Sequence, residues 1–247
     1  MFRKLKFLWR SFKSRYCDHK IEIEMLLESI KPGDIAIDVG ANKGSFAHSL
    51  AVAVGKKGRL LAFEPQMALA EYLRQVFCEL SLSQCEVYEV GISDRKGSSN
   101  LHIPMKGTNP SASIIDGAHI PNNWTSQEIQ ITSLDLFLTD EIRKVACIKI
   151  DVEGNELNVI KGALGIINKY HPVIVLECEQ RHLIDNTVEE IIDFIIALDY
   201  EGFFIQNKKL ISIENFVASE HQATDLGAYW DSKNYCNNFI FKPRLEE

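Results

Sequence analysis

The sequence predicts an α/β domain, a parallel sheet with helices on both faces, and three observations carry that prediction. Short apolar runs alternate with stretches of helical periodicity along most of the chain. A glycine-bearing turn, Asp38-Val39-Gly40-Ala41-Asn42-Lys43-Gly44, closes the first of those runs, where such sheets hold their ligands. The length of 247 residues, 46% of them apolar, suits one full-sized core.

Element by element, residues 1–16 come first. Phe2, Leu5, Leu8, Trp9, Phe12 and Tyr16 recur at three- and four-residue steps, with six basic residues between them. Two uses share this pattern. The commoner is a helix docked on its own domain with a solvated basic face; the other is an interfacial helix on an anionic membrane. Residues 20–30 read as a second helix, stopped by Lys31-Pro32-Gly33. A strand is expected at 35–39, a helix at 44–54, a strand at 59–63, a helix at 67–80 and a strand at 86–91. The stretch 92–132 breaks the rhythm. Strands are expected at 98–104 and 128–132, and between them the polar segment 106–126 reads as a lid-like loop. The alternation resumes with strand 145–150, helix 155–169, strand 173–178 and helix 187–198. Strands at 202–206, 209–213 and 238–242 complete it. The chain thus divides into a basic amphipathic region, 1–30, and a main domain, 31–247.

Charge excludes one class of function. The formal charge is -7, from 27 Lys+Arg against 34 Asp+Glu, and a general nucleic-acid binder needs a basic face. The charge is also divided. Residues 1–20 hold seven Lys/Arg and one Asp, or +6, leaving 20 against 33, or -13, for the remainder. The six cysteines (17, 78, 85, 147, 178 and 236) form no CxxC pair and match no zinc spacing, so a reducing cytoplasm is expected. Contact with the inner membrane surface is the added expectation if residues 1–16 lie on lipid. The basic start has no apolar stretch behind it, and no run reaches the ~18 apolar residues of a spanning helix.

The chemistry is expected at the strand ends. In the first turn Gly40 and Gly44 admit a ligand close to the backbone, and Asn42 lies between them. A dinucleotide fingerprint would need G-x-G-x-x-G, and a Walker loop G-x-x-x-x-G-K-[ST]; both are absent. A branched side chain at Gly40 is therefore expected to block the ligand and spare the fold. Glu64, 24 residues after Gly40, ends the second strand, where a carboxylate can accept from a ribose diol. After the fourth strand come Asp151, Glu153 and Glu156. Helix capping accounts for Glu156 more readily than for Asp151. The fifth strand ends at Glu177, with Glu179, Arg181 and His182 beyond it.

These residues are similar to those of a known family. The segments KPGDIAIDVGANKGSF, LLAFEP, VGISDRKGSSNL, SLDLF, IKIDVEGNELNVIKGA and HPVIVLE occur in this order over about residues 31–178. In them the chain resembles the FkbM family of S-adenosylmethionine (SAM)-dependent methyltransferases. The resemblance implies a Rossmann-like class I methyltransferase fold, with a seven-stranded, mostly parallel sheet whose last strand is antiparallel. It implies SAM as cofactor, with Asp38, Gly40, Asn42 and Gly44 at its methionine part and Glu64 at its ribose. Gly91, Ser93 and Asp94 would lie near the adenine, and Asp151 would face the sulfonium and the acceptor. The implied reaction is O-methylation of a hydroxyl on a sugar, glycan or secondary metabolite. A general base suits a poor hydroxyl nucleophile, and Asp151, Glu153, Glu177 and His182 are the candidates, Asp151 and His182 foremost. No metal is assigned, because the acids have the simpler capping use. A nicotinamide-dependent oxidoreductase and a non-catalytic SAM-binding module are the alternatives. Neither a nucleic-acid partner nor an oligomeric state is implied.

Overall fold

The computed structural model describes residues 2–104, 112, 124–223 and 234–244. Two helices lead the chain: α1 (Phe2–Lys13), continued by a π turn over Ser14–Asp18, and α2 (Lys20–Ser29). The sheet then begins. It runs β1 (Ile35–Val39), α3 (Ala47–Val54), β2 (Arg59–Phe63), α4 (Met67–Glu79) and β3 (Cys85–Tyr88). A small excursion follows, made of β4 (Gly91–Ile92), β5 (Gly97–Pro104), β6 (Trp124–Thr132) and α5 (Leu134–Phe137). The chain returns through β7 (Val145–Ile150), α6 (Glu156–Lys161), α7 (Leu164–Tyr170), β8 (Val173–Glu177) and α8 (Val188–Ile196). It closes with β9 (Tyr200–Gln206), β10 (Lys209–Ser212), α9 (Ala218–His221) and β11 (Asn238–Pro243).

The main sheet has the order β10-β9-β11-β8-β7-β1-β2-β3. β1 pairs in parallel with both β2 and β7, so strand order reverses at β1, and a crevice is expected beyond its carboxyl end. β11 runs antiparallel between β8 and β9. The expected seven-stranded sheet with its antiparallel last strand is thus present, and the hairpin strand β10 adds an eighth at the edge.

Side-chain alternation explains why the sheet needs helices on both faces. Ile35, Ile37, Val39, Leu61, Phe63, Ile148 and Ile150 enter a core with α6, α7 and α8. Ala36, Leu60, Ala62, Cys147 and Val175 enter the opposite core with α2, α3, α4 and Phe7 of α1. Asp38 and Lys149 share this second parity, so two charged side chains stand at the upper rim of an apolar layer. The start of α8 carries a capping box, Thr187 with Glu190, a device worth about 1 kcal/mol.

Three elements differ from expectation. The strand expected at 128–132 begins at Trp124, because residues 124–126 of the expected loop pair with Pro104, Ile103 and His102 of β5. The run 86–91 splits. Residues 85–88 pair with β2, while Gly91 and Ile92 pair with β6 in a separate three-stranded sheet. Asn155 secures the diversion by donating from Nδ2 to the Ile92 carbonyl at 2.9 Å. The helix expected at 155–169 breaks at Gly162-Ala163. A Cβ at Gly162 would stand 2.1 Å from the Ser93 carbonyl, and Asp135 captures the Gly165 and Ile166 amides at 2.8 and 2.9 Å to begin α7. The polar stretch 106–126 lies, except for Ala112 and the strand residues 124–126, outside the described residues.

Candidate active site

A crevice opens at the switch point. Its walls are the turn after β1 (Gly40, Asn42), the end of β2 (Glu64), β4 (Gly91) and the turn after β7 (Asp151, Glu153). Strand register alone brings these groups together. Asp38 is the β-partner of Lys149, and Val39 of Ile150, so the segments after β1 and β7 leave the sheet side by side.

Gly40 has φ +73°, and a Cβ built on it would lie 1.8 Å from the Asp151 carbonyl oxygen. The expectation that a larger side chain at Gly40 spares the fold is corrected here, because the residue is small to let two backbones cross. Gly44 (φ +75°) has a similar duty. Its Cβ would meet Phe7 and Leu73 at 2.8 Å, so it makes room for helix docking under the turn.

Glu64 is buried, and both its oxygens are held by backbone: Asn42 N–H donates to Oε2 and Gln66 N–H to Oε1, each at 2.8 Å. Burial pushes its carboxyl up to about 7, although the two amides and Lys149 pull the other way. Asn42 itself has φ +47°, a conformation asparagine tolerates better than most residues.

Lys149 is the central charge of the site and escaped the sequence reading. Its Nζ donates to the Gly40 carbonyl at 2.9 Å and to Asp151 Oδ2 at 3.3 Å, and it pairs with Asp38 Oδ1 at 3.3 Å. It also stands 5.5 Å above the Phe46 ring. Burial disfavours its charge, but Asp38, Asp151 and Glu177 outweigh burial and hold the amine above its ordinary value. Asp38 is raised by burial and only partly relieved by Lys149. Its Oδ1 receives no well-aligned hydrogen bond among the described residues. A signal for Lys149 existed: a lysine inside the apolar run VACIKI, of the same strand parity as Asp151.

Beyond β8, a second group of polar residues gathers. Glu177 accepts from Asn237 Nδ2 at 2.9 Å and is raised well above its ordinary value, by burial first and then by Asp151. Glu179 is held below its ordinary value. Burial opposes this, but Arg181, at 2.6 Å, and the Tyr235 hydroxyl prevail. Asn237 and Tyr235 lie 60 and 56 residues from the glutamates they contact. His182, at the end of a 3-10 turn, places Nδ1 2.5 Å from Glu153 Oε2. Glu153 has φ +57°, an unusual backbone for glutamate and the type of strain that clusters at working sites. Glu156 shapes the same turn: it is buried and accepts the Gly154 amide at 2.8 Å, and burial raises its carboxyl to about 7.

The structure therefore brings together Asp38, Gly40, Asn42, Glu64, Gly91, Asp151, Glu153, Glu177 and His182. Ser93 and Asp94 stand apart. Ser93 is buried along a neighbouring hollow, and Asp94 pairs with Arg95 at 3.2 Å. The cause is the diversion of the chain after β3.

A family model described as the methyltransferase FkbM domain matches residues 38–202, more than half of the 247. The chain belongs to this family. The chain is similar to a hexuronic acid methyltransferase, AglP, of Haloferax volcanii, at 29% identity over 154 residues. That match takes in 62% of this chain and 59% of the relative, so the chain spans less than two thirds of that protein's length. Among solved structures, an FkbM methyltransferase from Methylobacillus flagellatus superposes with a TM-score of 0.53 at 14% identity, over 97% of this chain and 54% of that one. An O-methyltransferase from Bacillus cereus in complex with SAH gives 0.50 at 11% identity, over 98% and 90%. These likenesses establish the Rossmann-like class I methyltransferase fold.

Proposed function

We propose that this FkbM protein uses SAM to methylate a hydroxyl on a sugar-type acceptor. The observation that carries the reading is the convergence of Glu64 and Asp151 on one crevice at the switch point, backed by the buried pair of Asp38 and Lys149. The donor set fits the cofactor. Glu64 is a buried carboxylate presented at the crevice for a diol. Asp38 is buried under the glycine turn and pairs with Lys149, which in turn holds the Gly40 carbonyl in place. When bound, SAM supplies an already activated methyl group, so the protein's task is to position the acceptor, exclude water and take a proton.

For that proton the Glu153–His182 pair is the best-built group. Glu153 orients the imidazole through Nδ1, leaving Nε2 free to accept from an acceptor hydroxyl. Asp151 is already committed to Lys149 and lines the crevice, which suits it to holding the acceptor or cofactor. Glu177, held above its ordinary value by burial and accepting from Asn237, fits a hydrogen-bonding role toward the acceptor. The FkbM relative named for hexuronic acid supports a carbohydrate acceptor.

The test is incubation with methyl-labelled SAM and a panel of uronic acid and neutral glycosides, read by mass spectrometry. Label is expected on a sugar oxygen. His182→Ala should lower kcat by about 10²–10⁴-fold with SAM affinity retained. Label on nitrogen or carbon, or full activity in His182→Ala, would remove the assignment.

A further inference from the structure

Helix α1 presents two opposite faces, and only one is used by the domain. The inner face carries Phe7, Ser11 and Ser14, all buried, at steps of four and three residues. Phe7 is fully enclosed, edge-on to Phe77 at 6.0 Å and lodged under Gly44. Two of the basic residues serve this docking. Arg3 reaches Gln75 and Glu79, and Arg10 donates to the Lys43 carbonyl at 3.0 Å.

The outer face, half a helical turn from Phe7, is the apolar one. Phe2, Leu5, Trp9 and Phe12 are 79, 57, 66 and 54% exposed, and Tyr16 of the following π turn is 55% exposed. Trp9 stacks on Phe12 at 6.1 Å, and Phe12 meets Tyr16 at 4.8 Å, so the rings form one strip. Val52 of α3, also exposed, extends it across a shallow groove. Exposed Lys4, Lys6 and Lys13 rim the strip. The docked-helix reading thus holds for Phe7 and the half-buried Leu8, but Phe2, Leu5, Trp9, Phe12 and Tyr16 face outward.

We propose that this face seats the protein on an anionic lipid surface, with Trp9, Phe12 and their neighbours at the headgroup boundary and the lysines against lipid charge. Three features favour a bilayer. Aromatic rings with a lysine rim match the interface between acyl chains and headgroups. The rings run in one continuous line, from Trp9 through Phe12 to Tyr16, beside a groove lined largely by apolar side chains, a surface that acyl chains can follow. The charge is also segregated: +6 in residues 1–20 against -13 elsewhere, so an anionic surface attracts this face and repels the others, fixing one orientation. Among the described residues no helix is long and apolar enough to cross a membrane, so the contact is peripheral.

The experiment is co-sedimentation of the full chain with phosphatidylcholine vesicles, with and without phosphatidylglycerol, alongside light scattering of the protein alone. Binding is expected to vesicles containing phosphatidylglycerol and to fall as salt rises. Trp9→Ser with Phe12→Ser should weaken it by at least about tenfold, and Lys6→Gln with Lys13→Gln by about fivefold for each lysine. All four side chains are exposed, so melting temperatures should stay at the wild-type value. Absence of binding, or binding indifferent to lipid charge or to the Trp9/Phe12 change, would overturn the proposal. So would a concentration-dependent dimer abolished by that change, which would show a second copy covering the strip.

Discussion

If Glu64 receives the diol of SAM as a carboxylate, SAM affinity must follow its ionisation. Burial sets the carboxyl at about 7 in the ligand-free protein, against an ordinary 4.5. The group is then about nine-tenths ionised at pH 8 and about one-tenth at pH 6, so the part of the affinity that depends on the anion should weaken about tenfold, or ~1.4 kcal/mol, between those values. The perturbation is Glu64→Gln, which keeps the shape and removes the titration. Its amide will face either the Asn42 or the Gln66 N–H, both donors, so a loss of stability on the order of 1–3 kcal/mol is expected where the wild-type carboxyl is protonated, shrinking as pH rises through about 7. Calorimetric SAM titrations at pH 6, 7 and 8 in both proteins separate the effects, because titration of SAM itself is common to the two. The wild type should show about tenfold more pH dependence than the variant. Parallel profiles would refute the reasoning. The same shift acts on folding. A carboxyl raised above its unfolded value favours the native state most below about 4.5, and this advantage, on the order of 3 kcal/mol, is lost as pH rises through about 7. The fold alone thus favours the neutral acid, and ligand binding must favour the anion.

Other predictions concern the framework. Gly40→Ala should destabilise the fold by several kcal/mol, measured by denaturant unfolding, since the added Cβ would overlap the Asp151 carbonyl at a positive φ; a wild-type midpoint would contradict the crossing. Lys149→Met leaves Asp38, Asp151 and Glu177 without their buried counter-charge, and a loss of about 3–5 kcal/mol is expected, partly recovered at low pH as the carboxyls take up protons. A loss independent of pH would mean that Lys149 acts by packing alone.

Much of the site was legible from sequence because it is written locally. Asp38 is the last but one residue of an apolar strand, Gly40, Asn42, Glu64 and Asp151 lie just past such strands, and in a parallel sheet all such ends share one edge. Ser93 and Asp94 lie beside the crevice and not in its wall because Gly91 and Ile92 pair with residues some 40 positions away in β6, and no local pattern announces that β3 ends at Tyr88. The Glu153–His182 contact and the approach of Asn237 and Tyr235 to Glu177 and Glu179 join distant segments through strand order.

Alternation, glycine turns and charge division belong to the sequence itself. They determined an α/β sheet, a family resemblance, and a basic amphipathic leader. Tertiary structure decided the remainder. It gave Gly40 and Gly44 their reasons, one a backbone crossing and the other a bed for Phe7. It turned Lys149 from a strand residue into the charge that holds Asp38 and Asp151 together. It also chose which side of α1 meets the domain. The apolar periodicity could specify a face but not its direction, since burial depends on the shape beneath the helix. Only Phe7 fits that hollow, so the aromatic strip is left facing outward.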